Sequence, residues 1–179
     1  MNGTTLRDGI FALNTRRFGS VAEVMIQKLI HAAKARSLFH DLYDDALKHR
    51  LEVKFSRVQK KAETTITEAT VLQCIAEATA ENRMIPFAEW QGFQFDCNIQ
   101  QIKQAEFEVL YYGLFFADCI KIFRIESSDI SSQISYSDKQ HKGNVGEGQF
   151  HVNQDTLSVH LKQYHYKSLD YEDLCSLLT

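Results

Sequence analysis

From Arg50 to Ser56 polar and apolar positions alternate. Leu51, Val53 and Phe55 fall on one side, and Arg50, Glu52, Lys54 and Ser56 on the other, the period of a strand with one buried and one wet face. The pattern predicts a strand over Lys48 to Ser56, a partner strand over Leu38 to Tyr43, and a turn at Asp44-Asp45-Ala46. Upstream, Val21, Met25 and Leu29, with Ala22, Ile26 and Ile30 beside them, keep helical spacing. Ser20-Val21-Ala22-Glu23 has the form of a capping box, so the helix is expected to open at Ser20 and run to about Ala35.

A second box, Thr65-Ile66-Thr67-Glu68, predicts a helix with Val71, Leu72, Ile75 and Ala78 inward, ending near Asn82. An irregular segment around Pro86, Phe87 and Trp90 follows, then a short helix over Asn98 to Lys103. Phe107 to Leu114 and Cys119 to Ile125 are apolar on both sides, which suits central strands covered on both faces. Ser127 to Gln149 is polar and contains Gly143, Gly146 and Gly148, so it reads as mostly loop. Leu157–Tyr164 and Tyr171–Leu178 close the chain as short helices. The order predicts an α/β fold, a central mixed sheet flanked by helices.

With 179 residues, 44% hydrophobic and 24% charged, the chain suits one globular domain over 1–179. It has no apolar run of bilayer length, and the first residues lack a secretory pattern, so membrane insertion and export are not expected. Cys74, Cys97, Cys119 and Cys175 stand singly, without C-x-x-C, and are expected to be reduced and buried rather than zinc ligands. His160 and His165 are five apart and make no metal pair on a helix face. His49, His141 and His151 have no recognisable nucleophile partner.

The formal charge of −3 excludes binding to nucleic acid by bulk positive charge. The cations are nevertheless uneven: Lys48, Arg50, Lys54, Arg57, Lys60 and Lys61 lie between 48 and 61 against the single acid Glu52. Glu52-Val53-Lys54 is the chain's one acid-x-Lys triplet, and both charged side chains leave the same strand face. Folding back at the turn brings Asp41 opposite or diagonal to Glu52. Two adjacent carboxylates can share Mg²⁺, and a neighbouring lysine can orient an attacking water: the parts of metal-assisted phosphodiester hydrolysis. The plain alternative is an exposed face with a Glu–Lys–Arg salt-bridge network.

A helix bearing Glu23, then His40-Asp41-Leu42-Tyr43, then Arg50-Leu51-Glu52-Val53-Lys54-Phe55-Ser56, resembles the core of the PD-(D/E)XK nuclease superfamily, and type II restriction endonucleases especially. The likeness covers about residues 20–125, leaving 126–179 for DNA contact or dimerisation. It implies that Asp41 and Glu52, with the Val53 carbonyl, hold Mg²⁺, that Lys54 positions the water, and that Glu23 is the acid of the first helix. Glu23 has a competing role as the reciprocal cap of its helix. His40 stands where the family has proline, which keeps Asp44 and Asp45 open as first ligand, although both also suit a turn.

The resemblance further implies a homodimer cutting double-stranded DNA at a palindrome to 5′-phosphate and 3′-hydroxyl ends, in the cytoplasm of a bacterium or archaeon. Lys60 and Lys61 would flank the backbone, and Lys139, Gln140, His141, Lys142 and Asn144 would read bases or simply form a loop. A repair or junction-resolving nuclease of the same fold and a non-catalytic DNA-binding subunit are the alternatives.

Overall fold

Asparagines, not Ser20, start the first two helices. In the computed structural model, which describes residues 1–62, 64–139 and 146–179, Asn2 caps α1 (Gly3–Ala12) and Asn14 caps α2 (Thr15–Ile30), accepting from Thr5 N–H at 2.9 Å and Arg17 N–H at 3.1 Å. Ser20 therefore lies inside α2, its hydroxyl bonding back to the Arg16 carbonyl at 3.4 Å, and Glu23 caps nothing. The helix buries Phe18, Ala22, Met25 and Ile26, and ends five residues short of Ala35, where His31 turns left-handed at φ 57°.

Three antiparallel strands follow: β1 (Ala33–Lys34), β2 (Leu42–Asp44) and β3 (His49–Arg57). β2 is shorter than the Leu38 to Tyr43 reading. Leu38 and Phe39 are exposed, so nothing on that side rewards pairing. The chain then passes through α3 (Val71–Glu77) and α4 (Ala80–Arg83), then β4 (Asp96–Ile102), to β5 (Val109–Phe115), parallel to β3. β6 (Ile120–Glu126) pairs antiparallel with β5. β7 (Gly148–Asn153), α5 (Leu157–Gln163), β8 (His165–Leu169) and α6 (Tyr171–Leu178) complete the chain. The result is a mixed six-stranded sheet, β1-β2-β3-β5-β6-β8, with a separate antiparallel ribbon, β4–β7.

Each face of the sheet has its own apolar core. Leu51, Val53, Val109, Tyr111, Ile120 and Ile122 meet α1, α2 and α6 on one face. Leu110, Tyr112, Leu114, Phe123 and Ile125 meet the ribbon and α5 on the other. That second face is already covered, so α3 does not pack inward as its spacing predicts: Val71, Leu72 and Ile75 are exposed. Its start is also displaced from Thr65 to Thr70, whose hydroxyl accepts from Thr67 N–H and donates to the Thr65 carbonyl.

The predicted helix over Asn98 to Lys103 is instead strand β4. Ile99 and Ile102 show helical spacing because a bulge, with Gln101 at φ 61°, inserts one residue between inward positions. Part of the expected loop is ordered too, with short 3₁₀ turns at Ser127–Asp129 and Ser132–Ile134. All four cysteines are free, but only Cys97 is buried. Among the described residues no helix is long and apolar enough to cross a membrane.

Gly113 in β5 shows how closely the layers meet. A Cβ there would collide with the Lys121 carbonyl and the Phe55 ring. Gly113→Ala is expected to destabilise the fold by about 1–3 kcal/mol, the usual cost of overpacking. Urea unfolding measures this, and an unchanged midpoint would contradict the packing described.

Candidate functional site

Asp41 extends the hairpin by one residue and then replaces backbone with side chain. Its N–H donates to the Leu51 carbonyl at 3.1 Å, while its Oδ2 accepts the Val53 N–H at 2.9 Å. The carboxylate thus satisfies the strand edge where β2 has ended. In a strand the carbonyl of a residue points to the same side as its N–H, so the Val53 carbonyl also faces this edge.

Glu52 and Lys54 project together from β3. The Lys54 ammonium donates to Glu52 Oε1 and stands 3.9 Å from Asp41 Oδ2. The structure therefore brings Asp41, Glu52 and Lys54 together. Asp44 and Asp45 lie apart from them at the hairpin tip. Asp44 Oδ1 closes the turn by accepting Ala46 N–H at 2.9 Å and Leu47 N–H at 3.0 Å, and Asp45 is exposed. Arg50 does not join the cluster either: its guanidinium is engaged by Glu108, which also takes the Arg50 N–H at 2.6 Å.

The electrostatics of the cluster follow from burial. Glu52 is only 9% exposed, and loss of hydration pushes its carboxyl up to about 7; Asp41 adds to the rise and Lys54 opposes it. Burial pulls Lys54 down, but Glu52, Asp41 and Glu23 together more than offset it, and its affinity for the proton rises. Glu23, on α2, is raised by burial first and by Asp41 second, against Lys54 and Lys34. Glu23 thus belongs to the field of this cluster. Two carboxylates, Asp41 and Glu52, share one ammonium in a poorly hydrated place, and Glu23 adds its field from α2, an arrangement that favours a further cation or a proton.

The cluster opens to solvent on two sides. A cleft of about 290 Å³ is lined by Phe39, His40, Asp41, Glu52, Lys54 and Lys103. A wider groove of about 840 Å³ runs past Glu23 and Lys54 between α2 and β4, and carries Arg16, Lys60, Lys61 and Arg83. The backbone N–H groups of Lys60 and Lys61 are fixed by the carbonyls of Arg83 at 2.8 Å and Gln94 at 3.0 Å, and the Lys60 ammonium lies 4.5 Å from the Phe93 ring centre. Arg57 also borders the groove, but its guanidinium is committed to the Phe11 and Leu13 carbonyls that end α1.

Lys139 is exposed beside β7, its N–H on the Ser137 hydroxyl at 3.2 Å. Gln140, His141, Lys142 and Asn144 lie outside the described residues. Arg16 and Arg83 were invisible as groove residues in the sequence, because they come from α2 and α4, far along the chain from Lys60.

Among the described residues no group of three or more His, Cys, Asp or Glu is arranged to hold a metal ion. The donors at hand are two carboxylates, from Asp41 and Glu52, and the Val53 carbonyl. All are hard oxygens of the kind Mg²⁺ takes while keeping several waters, so the set fits that ion once the Lys54 ammonium moves aside. No family model, curated protein or solved structure matches this chain.

Proposed function

We propose that the chain is a Mg²⁺-dependent endonuclease of restriction-endonuclease-like build that cuts double-stranded DNA, with a type II restriction enzyme as its closest functional counterpart. The observation that carries this reading is the meeting of Asp41, Glu52 and Lys54 at one strand edge, beside a groove lined with cations. The order of elements adds support: helix α2, the antiparallel strands β1 to β3, a crossover, then parallel β5.

Asp41, Glu52 and the Val53 carbonyl would hold Mg²⁺, which when bound supplies Lewis-acid polarisation of the phosphate and a more acidic water. Lys54 donates hydrogen bonds toward that spot, where it can orient the attacking water and offset the negative charge gathering on phosphate. Asp41, pinned by the Val53 N–H, keeps one oxygen in a fixed place. Lys60, Lys61, Arg16 and Arg83 suit the DNA backbone, since ion pairs with phosphate set position and affinity rather than sequence. A homodimer would present two such centres to a palindrome.

The direct test is incubation of the protein with a plasmid of known sequence, with and without Mg²⁺. Discrete fragments that need Mg²⁺ are expected, and an intact plasmid across a range of Mg²⁺ would overturn the proposal. Preference for a mismatch or a branched junction over plain duplex would point to a repair or resolving nuclease. Mg²⁺ should also raise the melting temperature, and more at pH 8 than at pH 5, because at pH 5 a proton already occupies Glu52. Equal shifts at the two pH values would argue against a site built on that carboxylate.

A further inference from the structure

We infer that the outward face of the β4–β7 ribbon reads base identity in the major groove of duplex DNA, an inference that rests on the nuclease reading above. The ribbon's inner face is ordinary core: Cys97, Ile99, Ile102, Phe150 and Val152 are all buried. Its outer face consists of three cross-strand pairs, Asp96 with Asn153, Asn98 with His151, and Gln100 with Gln149. Strand surfaces favour β-branched and aromatic residues and are poor in Asn and Asp, so strand propensity does not explain this choice. The six side chains include no lysine or arginine, yet all of them can donate or accept hydrogen bonds.

The internal contacts leave this face unfinished. Asn98 Nδ2 donates to Gln149 Oε1 at 3.0 Å, but Asn98 Oδ1 is shielded from solvent with no partner. His151 Nδ1 lies 2.8 Å from Asp96 Oδ1. The Asn153 Oδ1 closes a turn, accepting from Asp155 N–H at 3.0 Å and Thr156 N–H at 3.1 Å. At the other end the bulge at Gln101 leaves both Gln100 and Gln101 exposed toward the groove. Bulges commonly re-aim side chains beside active sites.

Placement supplies the rest. Asn98 and Gln100 line the same groove as Lys54, Lys60, Lys61, Arg16 and Arg83. Cations for phosphates and amides for bases thus converge on one groove, the division of labour found in sequence-reading proteins. A two-stranded ribbon fits the B-form major groove, roughly 12 Å wide, where Asn or Gln pairs bidentately with adenine; the deep, narrow groove of A-form RNA admits no such element.

The test is selection of bound duplexes from a pool with a randomised centre, in Ca²⁺, followed by Mg²⁺ cleavage of the selected sequences. The wild-type protein should enrich one sequence. Asn98→Ala, and independently Gln100→Ala and Gln149→Ala, which remove exposed or half-exposed side chains and should fold, are each expected to lose about 5- to 100-fold discrimination at one or two adenine-containing positions. The double substitution Lys60→Ala/Lys61→Ala should instead weaken all sequences alike and flatten the salt dependence.

Ribbon variants that melt like the wild type and keep its base preference would overturn the ribbon's role while leaving the nuclease reading intact. Absence of both binding and cleavage of any duplex by the wild-type protein would overturn the nuclease reading and the ribbon's role with it. Selection of a single-stranded or RNA pool in preference to duplex DNA would overturn the major-groove assignment alone.

Discussion

Replacing Glu52 by glutamine is expected to lower Mg²⁺-dependent cleavage by at least about 10²–10³-fold, the scale set by removing one group that stabilises transition-state charge. The same substitution should make the fold more tolerant of alkali. Burial raises the Glu52 carboxyl from 4.5 to about 7, with Asp41 adding and Lys54 opposing, so the native state holds this proton more tightly than the unfolded chain. The favourable contribution is fully present below pH 4.5 and is lost as pH rises through about 7.

That difference corresponds to about 3 kcal/mol. Glutamine keeps the shape and an acceptor for Lys54 without carrying the charge. The stability of Glu52→Gln relative to wild type should therefore improve between pH 5 and pH 8, measured by urea unfolding at each pH. Parallel pH dependence of the two proteins would show that Glu52 is not buried as described, and full cleavage by the variant would remove it from the reaction. Lys54→Ala should also lose cleavage. It leaves Glu52 and Asp41 without their shared cation, so its stability should fall with rising pH more steeply than that of wild type.

Acid acts elsewhere on the same face of the sheet, through His160, which meets Tyr112, the residue paired with Lys54 across β3 and β5. This imidazole is 1% exposed, hydrogen-bonded by Nδ1 to the Tyr112 hydroxyl at 2.7 Å, and stacked on Phe150 with its ring centre 5.7 Å away. Loss of hydration pulls it from 6.5 to about 4, so the unfolded chain takes the proton first. The stability contributed by the neutral ring is present above pH 6.5 and is lost as pH falls to about 4, roughly 3 kcal/mol in all.

His160→Gln can still accept from Tyr112 but cannot titrate. It should start less stable than wild type at pH 7, because the ring packing is gone, and the gap should narrow or reverse by pH 4. Chemical unfolding at the two pH values measures this. A gap that stays constant would mean that His160 is hydrated in solution. His160 is a core residue, bonded to Tyr112 and stacked on Phe150.

The candidate centre was legible because it is local. Asp41, the turn, and Glu52-Val53-Lys54 lie within fourteen residues, and a hairpin with period-two alternation dictates which side chains share a face. The sequence left Asp44 and Asp45 open beside Asp41. The geometry separates them, since Asp44 is consumed by the turn while Asp41 reaches the Val53 N–H. The capping reading of Ser20 and Glu23 failed because a box of the right residues also occurs inside a helix, and the stronger start signal, Asn14, lay six residues earlier.

Edge and bulged strands were hidden for related reasons. β8 exposes all but Leu169, so it has no apolar alternation to read, and the β4 bulge turned a two-residue period into a three-residue spacing. By itself the sequence determined the central strands β5 and β6, the β2–β3 hairpin and the charged triad on its edge, because hydrophobic period and turn chemistry act over a few residues. Tertiary structure alone decided that the ribbon, rather than α3, covers the second face of the sheet. It also gathered Arg16, Lys60, Arg83 and the amides of the ribbon around one groove, since which surface is left to be buried depends on elements far apart in the chain.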